Sequence, residues 1–179
     1  MKKYRITKYN PTLRDKYGRY TQCDWTSCSD IGKEYVGKLF EVEDYLSIEQ
    51  KYFQSILFIL QEMDINCLEV TKLEKRRTLN QIEEFVHGKS LSISERGKDI
   101  FTSICDNDLI FIEDIFILMQ LVLRECLWCR LVSPSTNFVV EFGYDYYMYV
   151  LCDDLQKELI SKIQDLGMFV EIIDLDKFE

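Results

Sequence analysis

The sequence predicts an α+β fold, in which a mixed or mainly antiparallel sheet is covered by helices. Segments whose apolar side chains alternate, as in strands, lie at both ends of the chain, and segments with a helical apolar period lie between them. The length of 179 residues suits one domain, and a hydrophobic content of 47% is too high for a disordered chain. We therefore expect a single domain over residues 1–179, in which the halves 1–75 and 108–179 would share one core.

The first half is predicted to have the order β–loop–α–β. Residues 3–9 alternate large apolar and polar side chains, which indicates a strand that ends at Pro11, since proline has no amide donor. Residues 11–40 have weak periodicity and are predicted to form a long loop, with short strands inside it as the alternative. Apolar side chains recur at three- and four-residue steps over 42–63, which predicts a helix, and 67–73 follow as a strand.

The second half is predicted to have the order α–β–β–β–α–β. Its first helix is apolar on nearly all sides, which predicts burial between layers. Its second helix follows a carboxylate pair, and a carboxylate suits a helix start because it accepts bonds from the first-turn amides. Between the halves we expect a short helix over 79–86 and a connection over 88–108, with one short element near 100–104. The second half then begins with a helix over 110–125, a strand over 128–133 and a turn over 134–137. A bend at Gly143 and Asp145 leads into a strand over 146–151. The last helix follows Asp153 or Asp154 and buries Leu155, Leu159, Ile163 and Leu166, and a strand over 168–175 ends the fold.

The composition favours an acidic protein that stays in the cytoplasm. The net charge of −9 repels nucleic acid and attracts a basic protein partner, although acidity that merely maintains solubility is the alternative. Lys2 and Lys3 are not followed by the apolar stretch of a signal peptide. The strongest apolar run, 115–123, is shorter than the ~20 residues that span a bilayer, so no membrane association is expected. Seven cysteines, an odd number, favour reduced thiols that pack as small apolar side chains.

No set of residues in the sequence predicts catalysis, a metal site or a cofactor. His87 is the only histidine, which excludes any site with several histidines. General acid–base work by His87 would need an oriented partner and a pocket, and the sequence indicates neither. Cys126 and Cys129 form a CxxC spacing, but they follow a predicted helix, whereas redox thiols gain their low pKa at a helix start. Glycine-rich phosphate loops and a GxSxG nucleophile motif are missing from the sequence.

The most informative segment is an aromatic run over 138–152, in which four tyrosines fall within six residues. Strand side chains alternate between two faces, so these rings cannot all enter one core. One interpretation places them on both faces of a central strand inside the protein. The other makes them a binding surface, since tyrosine and tryptophan are favoured at interfaces. On that interpretation the partner-binding residues are Trp25, Glu141, Tyr144, Asp145, Tyr147 and Tyr149.

Both ends of the chain resemble a group of small, uncharacterised bacterial proteins. The resemblance lies in Tyr4–Pro11, in Trp25-Thr-Ser with Ser29–Gly32, in Leu127–Leu131 and in Phe142–Tyr149. That group is similar in kind to the immunity proteins that neutralise bacterial toxins, which are small, acidic and cytosolic. The resemblance implies a binding function and assigns no catalytic residue.

We therefore expect a non-catalytic binding protein, most specifically an immunity protein that occludes a basic toxin as a monomer or weak dimer. The partner's positive charge would speed encounter, and buried aromatic side chains would slow release. The first alternative is an enzyme or small-ligand-binding domain with a pocket under the 11–40 loop. The second is a multimeric structural protein whose aromatic surface is self-complementary.

Overall fold

The structure, a computed structural model, describes residues 1–173 apart from the side chain of Tyr144. Helices and strands occur in both halves of that range. The strands are β1 (Lys2–Thr7), β2 (Glu34–Tyr35), β3 (Lys38–Leu39), β4 (Cys67–Glu74), β5 (Leu109–Phe111), β6 (Trp128–Val132), β7 (Val139–Phe142), β8 (Met148–Cys152) and β9 (Phe169–Ile173). The helices are α1 (Val42–Glu62), α2 (Leu79–His87), α3 (Glu95–Ser103), α4 (Ile112–Leu123) and α5 (Lys157–Asp165).

Seven of the strands form one sheet in the order β5-β4-β6-β7-β8-β1-β9, and every neighbouring pair is antiparallel. β2 and β3 form a separate small hairpin inside the 11–40 segment. β1 lies between β8 and β9, so the start of the chain pairs with its last two described strands. The α+β class with a mainly antiparallel, helix-covered sheet is confirmed.

Two segments differ from the sequence-based expectation. The predicted helix over 110–125 begins only at Ile112, because Leu109–Phe111 pair with β4 as an edge strand. Both pieces are apolar, so periodicity alone does not separate them. The expected connection over 88–108 contains α3, whose first-turn amide at Gly97 is capped by the Ser94 hydroxyl at 3.1 Å.

The strand at the end of the aromatic run is shorter than predicted. It begins at Met148 instead of residue 146, because Asp145 and Tyr146 have left-handed backbones, with φ of 62° and 63°. A left-handed residue cannot continue a β-ladder. For the final predicted strand, residues 169–173 form β9, and residues 174 and 175 lie outside the described residues.

The helices cover one face of the sheet. In β6, β7 and β8 every second side chain is buried, and these side chains join those of the helices in a single core cluster. On β1 the same face carries Tyr4, whose hydroxyl donates to Asp154 Oδ1 at 2.5 Å and accepts from the Leu155 amide at 3.1 Å. These bonds tie β1 to the segment that leads into α5. No helix of the 1–173 region is both long enough and apolar enough to cross a bilayer.

A buried ion pair joins α1 to the end of α4. Arg124 donates to Glu49 through two bonds, of 2.9 Å from Nε and 2.7 Å from Nη2. Tyr45 donates to the same carboxylate at 3.1 Å, and Arg124 also donates to the Ser92 carbonyl. A buried charge is tolerated only when its partners neutralise it and satisfy its hydrogen bonds.

Replacing Arg124 by methionine should lower the free energy of unfolding by about 3–5 kcal/mol, because it leaves the Glu49 carboxylate buried without its cation. Urea unfolding followed by circular dichroism measures the change. The double variant Glu49→Leu with Arg124→Met should recover most of the loss, since it removes both charges. An Arg124→Met protein that unfolds at the wild-type urea concentration would contradict the assignment.

Candidate functional site: the open face of the sheet

The face of the sheet opposite the helices, here called the open face, is not packed against the core. Its side chains in β6, β7 and β8 are half-buried. Among residues 1–173, its apolar members Val132, Val139 and Leu151 belong neither to the core cluster nor to the partly buried residues that pack on it. The centre of the open face is therefore not covered by the helices.

A row of mainly polar side chains crosses the open face. Register places these residues side by side on six neighbouring strands. Arg5 Nη2 lies 2.8 Å from Glu171 Oε1, and Arg130 Nε lies 2.7 Å from Glu141 Oε2. Each carboxylate of the row thus has a cation beside it. The members of this polar row are Glu171, Arg5, Tyr149, Glu141, Arg130 and Thr71.

A second row, mainly aliphatic, runs parallel to the first. It includes three half-buried aliphatic side chains in the centre of the sheet and ends at Leu109, which is 50% exposed. Phe111, on the same edge strand and the same face, is 58% exposed. A solvated antiparallel sheet face normally carries polar side chains, so this aliphatic row is an unusual feature of the open face. The members of this apolar row are Ile173, Lys3, Leu151, Val139, Val132, Glu69 and Leu109.

The start of the 11–40 segment covers one end of the open face. Arg14 donates to Tyr147 Oη at 3.0 Å and lies 3.1 Å from Glu171 Oε2. Burial alone would raise the pKa of the Glu171 carboxyl, but hydrogen bonds from Arg5 and the positive charges of Arg5 and Arg14 lower it. The Glu171 carboxylate is therefore charged, and its ion pair with Arg14 holds the start of the 11–40 segment against the sheet.

The open face is close to electrically balanced. The two rows and Arg14 together carry four cations against three carboxylates, while the whole chain has a net charge of −9. The excess negative charge therefore lies elsewhere in the chain. The cations are Lys3, Arg5, Arg14 and Arg130, and the carboxylates are Glu69, Glu141 and Glu171.

The structure separates the residues that the sequence grouped as a binding surface. Glu141 and Tyr149 lie on the open face, and Tyr147 lies there beneath Arg14. Asp145 is exposed at the tip of the β7–β8 turn. Trp25 is only 8% exposed and stacks on Phe40 with ring centroids 4.3 Å apart, so most of its ring is packed inside the fold, away from the open face. The side chain of Tyr144 lies outside the described part of the structure.

Sequence reasoning missed the aliphatic residues of the apolar row. The available signal was that β6, β7 and β8 carry apolar side chains on both faces, whereas a half-exposed strand usually alternates apolar with polar. Tyr146 was also not singled out. Its ring is buried, 5.3 Å from Trp25 and 5.2 Å from Tyr52 by ring centroids.

A cleft of 770 Å³ opens beside the open face, where β6 begins and β7 ends. The end of α4 and the β7–β8 turn form its walls, together with Trp128. Arg130, Glu141 and Tyr149 line the cleft and also belong to the polar row. The cleft and the open face are therefore one continuous surface.

A second cavity, of 500 Å³, lies between the 11–40 segment and the start of α1. Trp25, Tyr35 and Phe40 line it, together with Lys8. The Lys8 amine lies 3.9 Å from the Trp25 ring centroid and 2.6 Å from Asp24 Oδ2. Burial lowers the pKa of Lys8 to about 8, although Asp24 opposes that shift.

Four of the seven cysteines lie inside the fold. Cys28, Cys126, Cys129 and Cys152 are buried, and burial raises the pKa of Cys126 and Cys129 to about 12. A thiol with so high a pKa stays protonated at neutral pH and is a poor nucleophile. Residues 1–173 contain no group of three or more His, Cys, Asp or Glu side chains placed to hold a metal ion.

Comparisons with known proteins gave no match: neither the family models, nor the curated proteins, nor the solved structures include one similar to this chain.

The free energy of unfolding should fall as the pH rises from 9 to 11. Unfolded thiols ionise near pH 9, while Cys126 and Cys129 keep their protons up to about pH 12 in the fold, so the stability they contribute is complete below pH 9 and is lost above it. Urea unfolding in reducing buffer at several pH values measures this slope.

The double variant Cys126→Ala with Cys129→Ala is the control for the slope. It should lose stability less steeply over the same range, since two of the titrating groups are gone and the buried tyrosines remain. An unchanged slope would contradict the origin assigned to it.

Proposed function

We propose that this protein is a non-catalytic binding protein that docks a protein partner on the open face. The observation that carries the proposal is the apolar row, whose central residues Val132, Val139 and Leu151 lie outside the core cluster. Covering aliphatic side chains removes apolar area from water, which is the main driving force of protein association. The adjacent polar row supplies paired charges that can fix the orientation of the partner.

The partner proposed for this face is a basic protein. The net charge of −9 attracts a basic molecule over distances of roughly the Debye length, ~8 Å at physiological salt, and so speeds encounter. When a partner covers the open face, removing water from its carboxylates should cost little free energy, because each carboxylate of the polar row is already paired with a cation. Charge would thus steer the partner, and apolar contact would hold it.

Within this class, we propose an immunity protein that acts in the cytoplasm and neutralises a bacterial toxin by covering its working surface. Both chain ends resemble small, uncharacterised bacterial proteins that are similar in kind to immunity proteins, and this resemblance supports the proposal, as does the acidic composition. Occlusion needs only a complementary surface and no catalytic group, which suits a broad sheet face.

A second candidate function, binding of a small ligand, rests on the 500 Å³ cavity at the 11–40 segment. Its aromatic walls and the buried Lys8 amine are features of ligand sites. Because Asp24 and two aromatic rings already surround that amine, the open face remains the better supported site.

The substitution Leu151→Lys should weaken binding of the partner about tenfold or more, because it places a charge in the centre of the apolar row. The partner is first isolated by capture on the immobilised wild-type chain at low salt, and the dissociation constant of the purified partner is then measured by biolayer interferometry. The association rate should fall as salt rises, for wild type and variant alike.

The substitution Leu46→Lys is the matched control. Leu46 lies on α1, on the helical side of the sheet, and is 39% exposed, so the same change of residue and charge occurs away from the open face. Equal affinities for wild type and Leu151→Lys, or equal losses for the two variants, would refute docking on this face. For the immunity function, the captured protein should be toxic when expressed alone, and wild type but not Leu151→Lys should restore growth.

A further inference from the structure

We propose that the 770 Å³ cleft binds an arginine side chain of the protein partner. This inference rests on the proposed function, since it assumes a basic partner seated on the open face. The cleft shares Arg130, Glu141 and Tyr149 with that face, so a partner docked there lies at its mouth. Its volume is in the range of ordinary binding sites, which is about 300–1,000 Å³.

Two carboxylates that line the cleft have no counter-ion. Glu125 and Asp145 are exposed, and neither makes an ion pair with another residue of the 1–173 range. The other two carboxylates of the cleft are neutralised: Glu74 lies 2.6 Å from Arg76, and Glu141 lies 2.7 Å from Arg130. A cation is therefore the charge that the cleft lacks.

The remaining cation of the cleft is held to one side. The guanidinium of Arg77 lies 4.3 Å from the ring centroid of Phe85, and its Nη1 donates to the Glu125 carbonyl at 3.3 Å. It is engaged with an aromatic ring and a backbone oxygen, which leaves both free carboxylates for an incoming group. The last residues of α4 also line the cleft, and the carbonyl end of a helix favours positive charge.

Both free carboxylates are carried by left-handed residues. Glu125 and Asp145 have φ of 56° and 62°, a region that costs a non-glycine residue about 1 kcal/mol or more. Glu125 follows the C-terminal cap of α4, and Asp145 lies in the β7–β8 turn. The surrounding structure holds both residues in these conformations.

The aromatic ring of Tyr146 forms part of the cleft wall, although only 6% of the residue is exposed. Its hydroxyl lies on the core side, beside the hydroxyl of Tyr45. Tyr45 in turn donates to Glu49 and to the Leu123 carbonyl. The wall is therefore held in place by the core behind it.

The aromatic wall favours arginine over lysine. The indole N–H of Trp128 donates to the Phe142 carbonyl at 2.5 Å, so the ring is what Trp128 can offer to a ligand. A planar guanidinium stacks on such a ring and can also donate two parallel bonds to a carboxylate, whereas an ammonium cannot do both.

The first test titrates the full chain with N-acetyl-arginine amide and, separately, with N-acetyl-lysine amide. The arginine probe should shift the indole N–H signal of Trp128 in ¹H–¹⁵N spectra and saturate with a dissociation constant on the order of millimolar, as expected for a single side chain. The signal is assigned with Trp128→Phe. Lysine amide should bind several-fold more weakly, and a response that does not saturate would overturn the proposal.

The second test removes the two free carboxylates with Asp145→Asn and Glu125→Gln together. Asparagine tolerates the left-handed backbone, so the turn is kept while the charge is lost. Affinity for the arginine probe should fall about 5- to 20-fold. The matched control combines Asp64→Asn, at an exposed position with φ of 52°, with Glu84→Gln on α2, which changes the net charge equally outside the cleft. An equal loss in the control would overturn the proposal.

The captured partner separates this inference from the proposed function. Weaker binding of the partner by both the cleft variant and Leu151→Lys supports both proposals. A partner that is lost by Leu151→Lys but binds the cleft variant as tightly as wild type would overturn the arginine site and leave the proposed function standing. Saturable binding of the arginine probe without any captured partner would support the cleft as a site while the proposed function failed.

Discussion

The alternation of side chains along an antiparallel sheet is the constraint on which this structure depends. The helices bury their apolar sides against one face only, so every second residue of β6, β7 and β8 enters the core and the others point away from it. The residues that point away make the polar row and the apolar row. The candidate site is thus a direct consequence of placing the helices on a single side.

The β7–β8 turn connects the core with the cleft. Tyr146 points inward, where its backbone carbonyl accepts a bond from the Tyr52 hydroxyl and its ring contacts those of Trp25 and Tyr45. The preceding residue, Asp145, is exposed at the cleft. The buried ring of Tyr146 therefore holds the left-handed β7–β8 turn in place, and this fixes the position of the Asp145 carboxylate. The geometry of the surface thus depends on the packing beneath it.

Much of the fold could be predicted because long, strongly periodic segments dominate it. The helix over 42–63 and the strand over 67–73 carry their own apolar patterns, and both are observed within a residue or so. β5 was missed because its apolar residues run without a break into α4. The site was harder to predict, because the polar and apolar rows depend on which strands pair and in which register. Glu171 and Arg5, for example, are in contact although more than 160 positions of sequence separate them.

The sequence by itself determined the α+β class, the acidic charge and the aromatic run, because composition and local periodicity do not depend on contacts between distant residues. Only the tertiary structure decided that Trp25 and Tyr146 are buried and that Glu141 is matched by Arg130. It also decided that Glu125 and Asp145 line one cleft with no counter-ion among residues 1–173. These outcomes depend on contacts between residues far apart in sequence. Their energies are realised only when the strands pair and the helices close over one face.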